Sequence, residues 1–187
     1  MTTTATGTKK TGHVAPMLHH PESPTPEFNA NYTINYFIEK GANPKKLIMG
    51  MPMYGQSFSL TKMDNTGLNS PARKGQAGEY TRAAGFLAYY EICHKVLSQG
   101  YKVMKDPSGS IGPYAYKGNQ WVGFDDVNMI RFKSEYIKNM GLGGGMIWAL
   151  DLDDFRNRCN CESHPLLKTI NRVLRNYPEA TVDCTLG

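Results

Sequence analysis

The sequence has no apolar run near the length of about 20 residues that crosses a bilayer, so no membrane-spanning helix and no membrane partner are expected. Its opening, MTTTATGTKK, lacks the apolar core of a secretory signal, and no signal peptide is expected in this chain. Cysteine is scarce: Cys93, Cys159, Cys161 and Cys184 are the four present. Cys159 and Cys161 are separated by one residue, where zinc knuckles and redox motifs use two or more. With no second Cys or Cys/His pair at ligand spacing, no metal site and no cofactor are expected. Disulfides in an extracellular protein are the reading that remains. Long basic runs are missing too. The 21 Lys and Arg outnumber the 16 acids for a net charge of +5, but they are scattered, clustering no further than pairs such as Lys9–Lys10 and Lys45–Lys46. That is a solvated surface, and no nucleic-acid partner is expected.

What is present is the composition of a globular protein, with enough of its 187 residues apolar for one core plus a smaller satellite. Residues 1–27, rich in Thr, His and Pro, read as irregular. NANYTINYFIEKG (29–41) reads as a helix ended by Lys40–Gly41, and its Asn31–Tyr32–Thr33 makes Asn31 a glycosylation candidate. KLIMGMPMYG (46–55) is a continuous apolar run between turn residues, the pattern of a strand buried on both faces in a parallel sheet. From 57 to 124 Gly, Pro and short Tyr-rich segments recur, which reads as an inserted α+β subdomain with Trp121 in its core. Asp125–Asp126 should cap a helix that runs to about Met140 and stops at Gly141. GGGMIWALD (143–151) reads as a second buried strand, and SHPLLKTINRVLRNY (163–177) as an amphipathic helix capped by Ser163. Helix, strand, insertion, helix, strand, helix is βα alternation with an interruption, so the fold class is α/β with a parallel sheet or barrel. No internal repeat is visible.

The chemistry concentrates in GGMIWALDLDDF (144–155). Periodicity alone would make Trp148 a packing residue, and would offer Asp151, Asp153 and Asp154 as paired carboxylates. LIMGMPMYGQSFSL, FLAYYEIC, PYAYKGNQWVGFDD and GGGMIWALDLDDF, with the FRNRC-x-C continuation, change that reading. In order and spacing they resemble the C-terminal part of family 18 glycoside hydrolases, the arthropod chitinases in particular, from about Lys9 to Tyr177. The resemblance implies the C-terminal portion of a (β/α)8 barrel with an α+β insertion after strand seven. Residues 1–8 would be an atypical Thr-rich head, 9–56 and 125–177 the partial barrel, 57–124 the insertion domain and 178–187 a tail. Strands seven and eight would be 46–54 and 143–151, with the site at their C-terminal ends.

On this resemblance Trp148 is the aromatic floor of a sugar subsite, where an indole matches the apolar face of a pyranose. Met146 would line the pocket, and Tyr54 would hydrogen-bond the sugar. Gln56 would contact it where relatives often carry Arg or His. The Gly143–Gly145 run would leave room for close backbone approach. Tyr89 and Tyr90 are expected to pack the insertion domain, and Ala83 replaces an acid that some relatives aim at the cleft. The implied partner is chitin or an N-acetylglucosamine oligosaccharide, and the parent protein would be secreted. A disulfide is implied from Cys93 to Cys159 or Cys161, leaving the other of that pair for Cys184.

The resemblance also exposes an absence. These retaining enzymes use the substrate's acetamido group as nucleophile and one glutamate as general acid. That glutamate ends a D-x-x-D-x-D-x-E motif on strand four, which does not occur here, and Thr3 and Thr4 stand near where relatives carry a Met-x-Tyr-Asp strand. No catalytic residue is assigned. Asp151, Asp153 and Asp154 are expected to brace the turn after strand eight through backbone N–H groups. The chain is therefore expected to supply chitin-binding residues while inactive alone. A non-catalytic, lectin-like oligosaccharide-binding protein is the alternative. A barrel short of strands should also show open edges and a half-bare apolar face.

Overall fold

A computed structural model describes residues 9–187, so the Thr-rich head with Thr3 and Thr4 lies outside the described residues. The elements in chain order are β1 (Lys9–Lys10), α1 (Ala30–Glu39), β2 (Ile48–Pro52), β3 (Tyr54–Leu60), β4 (Pro71–Lys74), β5 (Phe86–Ala88) and α2 (Tyr89–Gln99). There follow β6 (Lys102–Met104), β7 (Tyr114–Lys117), β8 (Gln120–Gly123), α3 (Val127–Asn139), β9 (Gly144–Trp148) and α4 (Pro165–Arg175).

Local chemistry sets the helix ends. The Asn29 carboxamide accepts from the Tyr32 N–H at 2.8 Å to open α1, and Gly41 follows its end at a φ of 90°. Asp126 caps α3 by accepting from the Met129 N–H at 2.9 Å, and Gly141, at a φ of 60°, follows the last turn. For α4 the structure departs from the sequence reading. His164, not Ser163, holds the cap position, in a left-handed conformation and with no side-chain cap bond. The first-turn donors are met from outside the helix: Asp153 accepts from Leu167 N–H at 2.9 Å and Leu166 N–H at 3.4 Å.

β2 and β9 pair in parallel, from Ile48 opposite Gly144 to Pro52 opposite Trp148. Side chains alternate along both strands. Met49, Met51, Met53 and Ile147 face outward into a core with Ile34 of α1, Ile130 and Ile137 of α3, and Leu166 and Ile170 of α4. Each fully buried methionine contributes about 1.5–3 kcal/mol. The inward set, Ile48, Met146 and Trp148, is 57%, 48% and 65% exposed. Neither strand is therefore buried on both faces as its apolar run suggests, because nothing among the described residues covers the inward face.

At Met53 the chain leaves the parallel pair and enters an antiparallel sheet of order β1-β4-β3-β8-β7-β6, with β5 also on β3. Residues 1–27 are not wholly irregular, since Lys9–Lys10 pair with Pro71–Ala72. Trp121 of β8 is 1% exposed, stacks on Tyr114 at 5.0 Å, meets Phe58 edge-on at 5.7 Å and donates its indole N–H to the Thr66 carbonyl at 3.0 Å. The buried Glu91 carboxylate of α2 accepts from Tyr80, Thr81 and Ala88 N–H groups and from the Thr81 hydroxyl, all between 2.8 and 3.2 Å. It thereby fixes the loop before β5. Cys93 pairs with Cys159, tying α2 to the segment after β9, and Cys161 pairs with Cys184, pinning the tail.

A buried ionic group joins the 11–18 segment to α3. Lys133 pairs with Asp125 and also donates to the Ala15 carbonyl at 2.7 Å. His13 lies beside them. Its Nδ1 accepts from the Ala15 N–H at 3.2 Å and its Nε2–H donates to the Phe124 carbonyl at 2.8 Å, a pattern that suits the neutral ring. Burial, and secondarily Lys133, push its pKa below the ordinary histidine value against the opposing pull of Asp125.

Candidate functional site

The C-terminal ends of β2 and β9 lie side by side, locked by the Met53 N–H donating to the Trp148 carbonyl at 2.9 Å. Alternation along β9 turns Trp148 and Met146 to the same inward face, and Gly50 of β2 faces the Met146 methyl, which a Cβ there would meet at 3.4 Å. The Trp148 indole is 65% exposed in this chain. At Gly143 the run admits the close backbone approach expected of it, and at Gly145 it admits a side chain. A Cβ at Gly143 would strike the Lys45 carbonyl, and one at Gly145 would lie 2.5 Å from the Met51 methyl. The space those glycines leave is taken by the protein's own residues.

Tyr54 opens β3 one residue beyond the Met53–Trp148 bond and is half-buried. Its ring stacks on Phe86 of β5 at 4.6 Å with 29° between planes, because the register sets Tyr54 opposite Ala88 and Gln56 opposite Phe86. Phe86 therefore orients the tyrosine, a role that FLAYYEIC carried without announcing it. Gln56, on the same face of β3, lines a cleft of about 730 Å³ with Gly12, His13, Asn29, Ile48 and Gly50. Tyr54, Met146 and Trp148 do not line that cleft. Strand alternation puts Trp148 with Met146 on one face of β9 and Tyr54 with Gln56 on one face of β3, and of the four only Gln56 lines the cleft.

The carboxylates after β9 divide by burial. Asp153 and Asp154 are 0% exposed, while Asp151 is exposed in the turn. Besides capping α4, Asp153 accepts from the Asp154 N–H at 2.8 Å, and Asp154 accepts from the Cys159 N–H at 2.6 Å. Burial raises the Asp153 pKa, partly offset by these backbone donors. Both side chains hold the chain's path from β9 into α4, and neither reaches solvent. Among the described residues no group of three or more His, Cys, Asp or Glu is arranged to hold a metal ion.

Tyr89 is buried against Phe124 at 6.4 Å between centroids, whereas Tyr90 is half-buried. Tyr90 meets Tyr80 and Phe155 edge-on, and the Arg158 guanidinium lies 4.3 Å from the Tyr80 ring centre. Sequence reasoning missed this aromatic cluster, whose one signal was the FRNR alternation after Asp154. Ala83 is exposed and brings no carboxylate. Asn31 lies in the first turn of α1, where its carboxamide oxygen accepts from the Tyr136 hydroxyl at 3.0 Å.

Comparison with known proteins agrees with this geometry. The model of "Glycosyl hydrolases family 18" matches residues 1–153. "Probable chitinase 10" of Drosophila melanogaster is 62% identical over 179 residues, covering 95% of this chain and 8% of that protein. Catalytic domain 2 of the Ostrinia furnacalis Group II chitinase superposes with a TM-score of 0.92 at 54% identity, covering 95% of this chain and 47% of that one. A mutant of that domain, matching equally well, was solved in complex with the chitooligosaccharide (NAG)5. Human YKL-39, described as a pseudo-chitinase with retained chitooligosaccharide binding properties, superposes with a TM-score of 0.82 at 41% identity, over 89% of this chain and 46% of its own. The chain spans about half of these solved chains and a small part of the fly protein. With two parallel strands backed by helices, an antiparallel insertion between them and an open tryptophan at the strand ends, the chain belongs to the glycosyl hydrolases family 18.

Proposed function

We propose that this chain is the C-terminal part of a chitinase domain, supplying sugar-binding residues and the insertion-domain wall while lacking the acid that cleaves. One observation carries the reading: Trp148, at the C-terminal end of β9, presents 65% of its surface toward the side where a barrel holds its site. An open indole is a platform for the C–H face of N-acetylglucosamine. Met146 extends the apolar floor. Tyr54, braced by Phe86, adds a hydroxyl from the adjoining strand, and Gln56 adds an uncharged donor and acceptor. Residues 57–124 act as an insertion domain between the two barrel segments. The parent protein is secreted, consistent with its two disulfides.

The parent reaction is retaining hydrolysis of N-acetylglucosamine polymers, assisted by the substrate's own acetamido group. This chain binds that substrate and does not protonate its leaving group. A second reading, a non-catalytic oligosaccharide-binding protein, is supported by the likeness to the pseudo-chitinase YKL-39. Titration of the chain with the (NAG)5 oligosaccharide, followed by tryptophan fluorescence, tests binding. Of the two tryptophans Trp121 is sealed, so a saturable change that Trp148→Phe alters is expected. No saturable change at millimolar sugar counts against the proposal.

A further inference from the structure

We propose that a cavity between the start of α3, the loop of residues 105–113 and Leu18 is a second saccharide site, shaped for one N-acetylamino pyranose and separate from the Trp148 platform. The cavity holds about 410 Å³, inside the range of roughly 300–1,000 Å³ that small-molecule sites occupy. It shares no residue with the cleft beside Gln56, and none of its residues lies on α1, β2 or β9. Its walls come from three segments of this chain. Leu18, Ile111, Pro113, Met129 and Phe132 make the wall apolar. Phe132 is 37% exposed, which leaves aromatic surface for the C–H face of a sugar ring.

Asp126 is the residue that calls for a ligand. It lines the cavity and is 3% exposed. One carboxylate oxygen, Oδ1, accepts from the Met129 N–H at 2.9 Å as the cap of α3, while Oδ2 has no hydrogen-bond partner on another described residue. Oδ2 is not sealed in the protein interior, so the cavity is the space into which it opens. Buried polar groups are ordinarily hydrogen-bonded, and an unmet one is costly. Burial raises the Asp126 pKa, and the Met129 N–H and Lys105 pull the other way. Donors border the same space: the exposed Lys105, and Asn128 at the second position of α3, where a backbone N–H has no acceptor within the helix.

An unmet acceptor, nearby donors and an apolar wall together match an acetamido group on a ring. Its N–H donates to Asp126 Oδ2, its carbonyl accepts from Lys105 or Asn128, and its methyl lies against the apolar wall. A sugar with hydroxyls alone offers neither the methyl nor the carbonyl and fits less well. That the acetamido group belongs to a sugar rests on the functional reading above. The cavity and its open carboxylate oxygen do not depend on that reading.

The test is amide NMR of the full chain titrated with methyl N-acetyl-β-glucosaminide, with methyl β-glucoside and with N-acetylalanine methylamide. Saturable shifts of the Ile111, Gly112 and Asn128 amides are expected with the first probe and not with the other two. Asp126→Asn keeps a residue that caps helices equally well and replaces the open acceptor, so it should weaken binding about tenfold or more with little change in melting temperature. Phe132→Ala leaves the cap intact and should weaken binding about threefold or more. No saturable shift at those amides, an equal response to the glucoside, a response to the acetylated peptide alone, or wild-type affinity in both variants would overturn the proposal. Tryptophan fluorescence with (NAG)5 reads the Trp148 platform separately. Shifts at the cavity without a Trp148 response support the second site and count against the functional reading, and the reverse pattern overturns the second site alone.

Discussion

Replacing Asp153 by alanine separates a structural carboxylate from a chemical one. Its two oxygens accept from Asp154, Leu166 and Leu167 N–H groups, two of which open a helix with no side-chain cap of its own. Losing a helix cap costs about 0.5–2 kcal/mol, and a buried donor left without a partner costs about 1–3 kcal/mol. Taken together, with one donor regaining water, Asp153→Ala should lose about 2–4 kcal/mol, a large share of the ~5–15 kcal/mol that holds an ordinary domain. Urea unfolding followed by circular dichroism reads the loss as a lower midpoint at unchanged slope. The raised pKa gives a second signature. A carboxyl whose folded pKa lies above its unfolded value contributes stability that is full below the unfolded pKa and is lost as pH rises through the folded one. The stability gap between wild type and Asp153→Asn should therefore be wider near pH 3 than near pH 7. An unchanged midpoint in the alanine variant would refute the capping role.

Other consequences can be checked in parallel. Removing the Cys93–Cys159 bridge, whose ends are 66 residues apart, should cost about 4 kcal/mol in the chain-entropy model, and removing Cys161–Cys184, 23 apart, about 3 kcal/mol, both read from melts of the double alanine variants. In a complete domain carrying this half, Trp148→Ala should weaken oligosaccharide affinity by roughly 1–3 kcal/mol with little change in melting temperature. Trp121→Ala should lower stability by about 3–5 kcal/mol, and calorimetric titration beside thermal melts separates the two. His13 has a lowered folded pKa, so its stability contribution is present above the unfolded value of 6.5 and is lost as pH falls through the folded one. Between pH 7.5 and pH 5, wild type should lose stability that His13→Gln does not.

The sequence told different things about different elements. The helix 127–139 was legible because its cap and its stop are local: Asp126 reaches three residues ahead, and Gly141 takes the left-handed φ after the last turn. The cap of α4 was not, because Ser163 satisfies the local rule while the N–H groups are met by Asp153, 13 and 14 residues upstream. KLIMGMPMYG and GGGMIWALD announced buried strands because apolar side chains occupy both faces. In this chain only the outward face finds partners. The sheet of residues 54–123 was readable as texture and not as topology, since β3 takes partners from β4, β5 and β8. β1 gave no signal at all, since two lysines carry no strand pattern. At the site, Trp148, Met146, Tyr54 and Gln56 came from the family resemblance, and which of them share a strand face came from strand alternation. Phe86 and the cluster of Tyr80, Tyr90, Phe155 and Arg158 depend on contacts between distant segments, which no short motif records.

The central claim is that this chain carries a sugar platform without a proton donor. The direct measurement is release of a fluorogenic aglycone from a chitobioside by the purified chain. General acid catalysis contributes ~10²–10⁴-fold in such reactions, and Asp151, the exposed member of the three carboxylates in the turn after β9, is not expected to supply it. The account predicts no turnover above buffer. Turnover that survives rigorous purification and disappears in Asp151→Asn, with the unfolding midpoint unchanged, would contradict it.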